Sequence, residues 1–349
     1  MLDHALTKVR NIRGKDIMRF LGNNAALFAF LLLFIMAIIL RGEIFLQPVN
    51  ILNIMRHNAI IGIIALGMTL VIVLGGVSLS VGAQLALVGW ISIEVFNATR
   101  NIFLAMLACV AAGIITGLLE GVLVAKFKVP SFIVTLGTMT IFRSIVLYGL
   151  TGGGLMVGIP PGGVGADRDV EVARIYQNIS NVNLFQTDDF IGIPLPIIYW
   201  IALCVLMYLF TSHTATGRHI FATGSNEKAA KLSGIKVDKI RILGFAICGA
   251  MVALGAVVET ARVGAISSAA TGVEHNLDAI AAVVIGGASM AGGKGRISGT
   301  FFGVLTLGVM TNLLAIMGVD PFLHGAARGL IVIGAVLLQR RLDGTKEAT

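Results

Sequence analysis

Ten apolar runs follow one another along this chain, at 24–40, 59–77, 79–96, 102–124, 131–150, 194–211, 242–260, 277–290, 297–317 and 325–339. About 20 predominantly apolar residues let a helix cross the hydrocarbon core of a bilayer. In that medium every backbone N–H and C=O must be paired within the protein, which restricts a spanning run of this length to an α-helix. The runs therefore define an all-α polytopic membrane protein of about ten transmembrane helices, with a single transmembrane domain over 24–339. Composition agrees, with 56% hydrophobic residues, 13% charged residues and a mean hydropathy of +0.92, where soluble domains carry about 25% charge. The second, third and eighth runs are short or interrupted by glycine, so broken or re-entrant helices are expected there. Lys8, Arg10, Arg13, Lys15 and Arg19 precede the first run, an arrangement shared with signal peptides. Arg41 follows that run directly and no small-x-small cleavage pattern appears, which makes it an uncleaved first span.

The basic residues set the orientation. With the N-terminus inside, the inner segments hold 18 Lys and Arg and the outer ones hold six, namely Arg41, Arg56, Arg100, Arg168, Arg174 and Arg262. The positive-inside rule then places residues 1–23, the loop 212–241 and the tail 340–349 in the cytoplasm. The same distribution accounts for the +8 net charge, which lies in the gaps between apolar runs rather than on one face, so nucleic acid is not a partner. Cys109, Cys204 and Cys248 each sit within an apolar run, without metal-ligand spacing, and read as small buried apolar side chains.

Two outer segments are substantial. In 41–58, Ile51, Ile54 and Met55 suit a short helix lying on the outer interface. The segment 151–193 starts glycine-rich and then carries Asp167, Arg168, Asp169, Glu171, Arg174, Asp188 and Asp189. It is either a solvated cap or a docking surface for an external protein.

The chain also repeats itself. VIVLGGVSLS (71–80) and AVVIGGASMA (282–291) share an apolar–Gly–Gly–x–Ser–(Leu/Met) pattern, and each precedes two further spans. Spans 2–4 and 8–10 thus form a parallel repeat, an arrangement that places a solute path at the repeat boundary. Thr69, Ser78, Gln84, Ser289 and Asn312 lie on or beside the two breaks; such hydroxyl and amide groups suit a neutral, hydroxyl-rich solute. Gly113, Gly117 and Gly121, like Gly299 and Gly303, form small-residue stripes for close helix packing. Of the ionisable groups at membrane depth, Arg143 is expected to pair with Glu94, and Arg328 with Asp278. No span carries the string of buried acids or histidines expected of a proton- or sodium-coupled pump, so an ion-coupled carrier is the less favoured alternative. A membrane scaffold or receptor accounts for neither the repeat nor the broken spans.

One stretch departs from the rest. Thr211–Arg241 holds Arg218, Lys228, Lys231, Lys236, Lys239 and Arg241 against only Glu227 and Asp238. Ser225 is placed to cap a short helix over Asn226–Leu232, and Gly234 to end it in the left-handed conformation. An exposed two-turn helix between two spans reads as a handle for another protein. The chain needs such a handle if it is driven, because its one phosphate-loop lookalike, ASMAGGKG (288–295), fails. Ala288 replaces the first glycine and Gly295 stands where a Ser or Thr would hold magnesium.

TGSNEKAAKLSGIKVDKIR (223–241) resembles the cytoplasmic coupling loop of ABC-importer permeases, and LGMTLVIVLGGVSLSVGA (66–83) and VVIGGASMAGGKGRISGTFFG (283–303) resemble the two signature stretches of the ribose/galactoside-type members. The resemblance runs across nearly the whole chain. It implies a non-enzymatic permease subunit of the bacterial cytoplasmic membrane that passes a monosaccharide or similar polyol, with a nucleoside or signalling sugar derivative as the alternative cargo. It also implies a second permease subunit, two ATPase subunits that bind ATP and Mg, and an extracytoplasmic solute-binding protein. The ATPases would engage Ser225, Asn226, Glu227, Ala229, Ala230, Leu232 and Gly234. The family usually carries Asp at the position of Ser78, a departure that fits pairing with a second, non-identical permease.

Overall fold

The computed structural model describes residues 25–160, 163, 167–184, 192–320, 322–330 and 333–334. The segments 1–23 and 340–349, Asp188, Asp189 and the end of the tenth run lie outside the described residues. Eight helices among those described are long and apolar enough to cross a membrane. They are α1 (Ala25–Phe45), α2 (Pro48–Val73), α3 (Val81–Thr99), α4 (Ile102–Ala125), α5 (Ser131–Gly149), α7 (Leu195–His213), α10 (Val237–Val263) and α12 (Ile297–Ile316). The shorter helices are α6 (Val170–Asn181), α8 (Ala215–Ser225), α9 (Glu227–Leu232) and α11 (His275–Ile285). Residues 322–330 are helical as well. The chain is a multi-pass helical membrane protein.

The buried centre is α2, which packs against α7, α10, α11 and α12. Every residue from Asn58 to Val73 on it is buried except Ile61. A helix apolar all round is stable only when surrounded by protein or lipid, and α2 has protein on all sides. By contrast α1 packs mainly on α12 and leaves Leu32 and Ile39 exposed, as a lipid-facing helix does. Pro48 opens α2, where its missing N–H costs nothing. The helix then continues without interruption for 26 residues, about 39 Å. The separate interfacial helix expected within 41–58 is therefore not present: residues 48–58 are the first turns of α2. The second run is likewise continuous rather than broken, and the break follows it.

Glycines bring α4 and α10 into backbone contact. A Cβ at Gly113 would fall on the Gly249 carbonyl, at Gly117 on the Phe245 carbonyl, and at Gly121 on Ile242. Gly299 and Gly303 of α12 likewise meet Gly286 and Ala282 at the end of α11. These are the two stripes expected from the sequence.

One end of the bundle carries two small antiparallel pairings. β1 (Gly154–Met156) pairs with β4 (Ala265–Ser267), and β2 (Asn183–Leu184) with β3 (Ile193–Pro194). Amphipathic α6 lies at this end. Its Tyr176 hydroxyl bonds Ser92 of α3 and Thr260 of α10, both at 2.8 Å. Arg56 of α2 donates to Asn181 Oδ1 at 2.6 Å. The opposite end carries α8 and α9.

Candidate functional site

Two non-helical segments enter the bundle and meet inside it. After α2, residues 74–80 return from the α8–α9 end to the start of α3. After β4, residues 268–274 descend to the start of α11. Each packs on the start of the helix that follows the other: a Cβ on Gly82 of α3 would fall on the Gly272 carbonyl, and Asn276 Nδ2 of α11 donates to the Leu79 carbonyl at 3.4 Å. Backbone at this depth has to be paired by other parts of the protein, and α5 does most of it. Ser131 Oγ accepts from Val77 N at 3.1 Å, and Thr135 Oγ1 donates to the Val77 carbonyl at 3.2 Å. Arg143 Nη1 donates to the carbonyls of Ser268 (2.8 Å) and Thr271 (3.0 Å). Steps of four and eight residues keep these three side chains on one helical face. Arg143 therefore serves the descending loop instead of the expected partner Glu94, which is exposed.

The sequence reading passed over Glu120. It is 2% exposed on α4 and accepts from Thr138 Oγ1 at 2.6 Å, facing the Ser80 hydroxyl. Ser80 in turn bonds Ser78 Oγ at 3.0 Å. A carboxyl thus stands within two hydroxyl steps of Ser78, on the neighbouring helix.

The helices that precede the two breaks end alike. At α2, Gly75 has φ +78° and Gly76 N donates to the Val71 carbonyl; at α11, Gly287 has φ +85° and Ala288 N donates to the Val283 carbonyl. This is the Schellman termination, with its left-handed residue as Gly. The glycine with positive φ is the first of the pair in one copy and the second in the other, so the backbone match is offset by one residue from the sequence match. The two ends are joined, because Gly293 N donates to the Val73 carbonyl at 2.8 Å.

The five polar residues proposed for a path are not brought to one place. Thr69 of α2 bonds Thr300 of α12 at 2.8 Å, and Gln84 of α3 donates to Thr116 (2.6 Å) and the Gly113 carbonyl (3.2 Å) of α4. Asn312 exchanges amide bonds with Asn50 at 2.8 and 3.1 Å. Ser289 holds a tight turn, accepting from Ala291 N and donating its own N–H to the Lys294 carbonyl. Arg328 meets Asp278 as expected, at 2.6 and 2.7 Å, and also reaches Glu274 at 2.8 Å.

Of the charges at the sheet-bearing end, Asp169 caps α6 by accepting from Glu171 N and Val172 N, and Arg168 Nε donates to the Val157 carbonyl at 3.1 Å. Glu171 and Arg174 lie on the exposed face of α6. Asp167 is also exposed.

At the other end, α9 forms where the sequence places a two-turn helix, one residue shorter at its start. Ser225 ends α8, and Asn226 is the cap, accepting from Ala229 N at 3.0 Å. Its amide oxygen therefore takes the role expected of Ser225, whose hydroxyl instead donates to the Gly293 carbonyl at 3.4 Å. Gly234 is left-handed at φ +81° and closes the helix, with Ile235 N donating to the Ala230 carbonyl. Ala230 faces inward at 4% exposure, whereas Leu232 is 91% exposed. Gly224 packs on the Val73 carbonyl and on Gly293. The junction of α8 and α9 thus rests on the joined ends of α2 and α11.

Glu227 fixes α9 by accepting from Lys231 at 2.5 Å and from Arg241 of α10 at 2.6 Å. The bond from Lys231, and then that from Arg241, holds its carboxyl below the usual carboxylate range. A depressed value stabilises the folded arrangement above the ordinary pKa, and that contribution disappears as pH falls through the lowered one. The pair is partly exposed, so its worth is small, about 0.2–1 kcal/mol. Glu227→Gln is expected to speed amide exchange over 227–235 by a few-fold at pH 7. Parent and variant should converge only below about pH 4; a difference that grows on acidification would contradict the assignment.

A long-helix bundle with paired re-entrant breaks defines a multi-span permease. A family described as "Branched-chain amino acid transport system / permease component" matches residues 50–338, and the chain belongs to it. It is similar to the ribose import permease protein of Bacillus subtilis (37% identical over 337 residues, 96% of this chain and 97% of that protein). It is also similar to the ribose import permease protein of Haemophilus influenzae (39% identical, 85% of this chain and 87% of that protein). The xylose transport system permease protein of Haemophilus influenzae is 34% identical, with 84% of this chain and 89% of that protein covered.

Proposed function

We propose that this chain is the transmembrane permease subunit of an ABC-type importer and passes a monosaccharide or similar polyol into the bacterial cytoplasm. The observation that carries this reading is the seating of the α8–α9 junction on the joined ends of α2 and α11. A force on α9 reaches both broken helices through Gly224, Ser225, Val73 and Gly293. The end bearing α8 and α9 is cytoplasmic, as the loop charges require, and so are both termini of a ten-span domain over 24–339. The offset Schellman ends support a parallel repeat of spans 2–4 and 8–10.

ATP and Mg are held by two partner ATPases, which take the exposed face of α9 around Leu232, while a solute-binding protein docks at α6 near Glu171 and Arg174. A second permease subunit completes the path. The family description names branched-chain amino acids, but the relatives' names point to pentoses. The buried acids Glu120 and Asp278 lie on α4 and α11, and Asp278 is paired with Arg328, so among the described residues they do not form the string of acids that ion coupling needs. Affinity-purified chain from its native membrane should bring down an ATPase whose turnover rises with solute-loaded binding protein. Uptake that persists without an ATPase partner and collapses with a protonophore would replace the proposal by an ion-coupled carrier.

A further inference from the structure

Near the sheet-bearing end, α2, α10, α11, α12 and the helical residues 322–330 line an open-mouthed cavity of about 340 Å³. It lies directly above the start of α11, where the descending loop ends. Small-molecule pockets begin at about 300 Å³, so the space suits one small solute.

The chemistry of the lining is specific. Arg328 is held by Asp278 and Glu274. Arg262 lies between Glu259, at 3.4 Å, and His57, donating to its Nδ1 at 3.1 Å. An arginine can only donate, so His57 Nδ1 accepts and the ring is neutral. Both guanidiniums keep a buried Nε–H with no partner among the described residues. Three carboxylates therefore face two guanidiniums, the His57 ring and the amides of Asn53, Asn58 and Asn312. The carboxylates outnumber the guanidiniums by one, and the lining sets acceptors and donors side by side. That arrangement suits neighbouring hydroxyls, each of which donates and accepts at once.

We propose that this cavity is a binding stop for one polyhydroxylated solute on its way from the outer face, with Arg262, Arg328 and their carboxylates as the recognising groups. The proposal rests on the importer reading and places the solute within it. Thr311 of α12 lines the cavity without taking part in the charge network, so a larger side chain there fills the space.

The test uses the whole complex in proteoliposomes, with labelled D-ribose and D-xylose as probes. Thr311→Phe should lower uptake at least tenfold more than it lowers solute-stimulated ATP hydrolysis, and the lipid-facing Ile39→Phe should change neither. Thr311→Cys should react with an impermeant maleimide, at least threefold more slowly when solute-loaded binding protein is present. Equal loss of uptake and hydrolysis in Thr311→Phe, normal uptake in it, or labelling indifferent to solute would each overturn the cavity as a solute stop. A parent complex without solute-stimulated hydrolysis would remove the importer reading instead.

Discussion

Leu232→Glu is expected to abolish solute-stimulated ATP hydrolysis and uptake while the chain inserts and accumulates normally. Leu232 is the last residue of α9 and stands 91% exposed beside a left-handed glycine. Nothing among the described residues covers it, so its replacement costs the fold little. A buried apolar anchor at a protein interface carries about 2 kcal/mol or more, which is roughly thirtyfold in affinity for the ATPase, and a buried carboxylate in its place adds a desolvation penalty. The check is ATPase co-purification and turnover against a matched Lys228→Glu variant, which should lose less. Undiminished hydrolysis in Leu232→Glu would place the contact elsewhere. Ala230, expected among the contact residues, faces inward, so Ala230→Arg would report on the packing of α9 rather than on its partner.

The second large effect belongs to the seam between α4 and α10. Gly113→Leu or Gly117→Leu drives a side chain into a facing carbonyl, where no rotamer relieves the clash. Overpacking of this kind costs about 3 kcal/mol when backbone has to move. The apparent melting temperature in detergent should fall by roughly 6–12 °C. Gly137→Leu on α5 is the control, because nothing lies within 4 Å of its Cβ position, and it should melt with the parent. Equal melting of Gly113→Leu and Gly137→Leu would show that the seam is not held by close approach.

Features carried by local pattern were legible in the sequence. The long apolar runs became the long helices, the four-residue glycine steps became seams, and the depth match of Arg328 with Asp278 became an ion pair. The pairing of Arg143 was not legible, since its acceptors are backbone carbonyls about 125 residues away in a loop with no periodicity. Arg56 and His57 interrupted the hydropathy of α2 and hid its first eleven residues; both side chains turn towards polar groups at the sheet-bearing end. Glu120 escaped attention because one acid in an apolar helix has no pattern of its own, and its meaning comes from Thr138 and Ser80 on other elements. The cap moved by one residue because Ser225 and Asn226 are both competent, and only the path of α8 decides between them.

The shortness of α11 has a consequence for how the protein is made. Its 11 residues span about 16 Å, half of what a bilayer core requires. Emerging alone, this segment is not a membrane span, and it carries His275 and Asp278 in its first turn. Its stable seat is made by Gly299 and Gly303 of α12, which are synthesised afterwards. The segment is thus expected to enter the membrane together with α12 as a hairpin, with α2 as its other wall. A chain truncated before α12 should leave His275–Ile285 more open to water-soluble reagents than the full chain does.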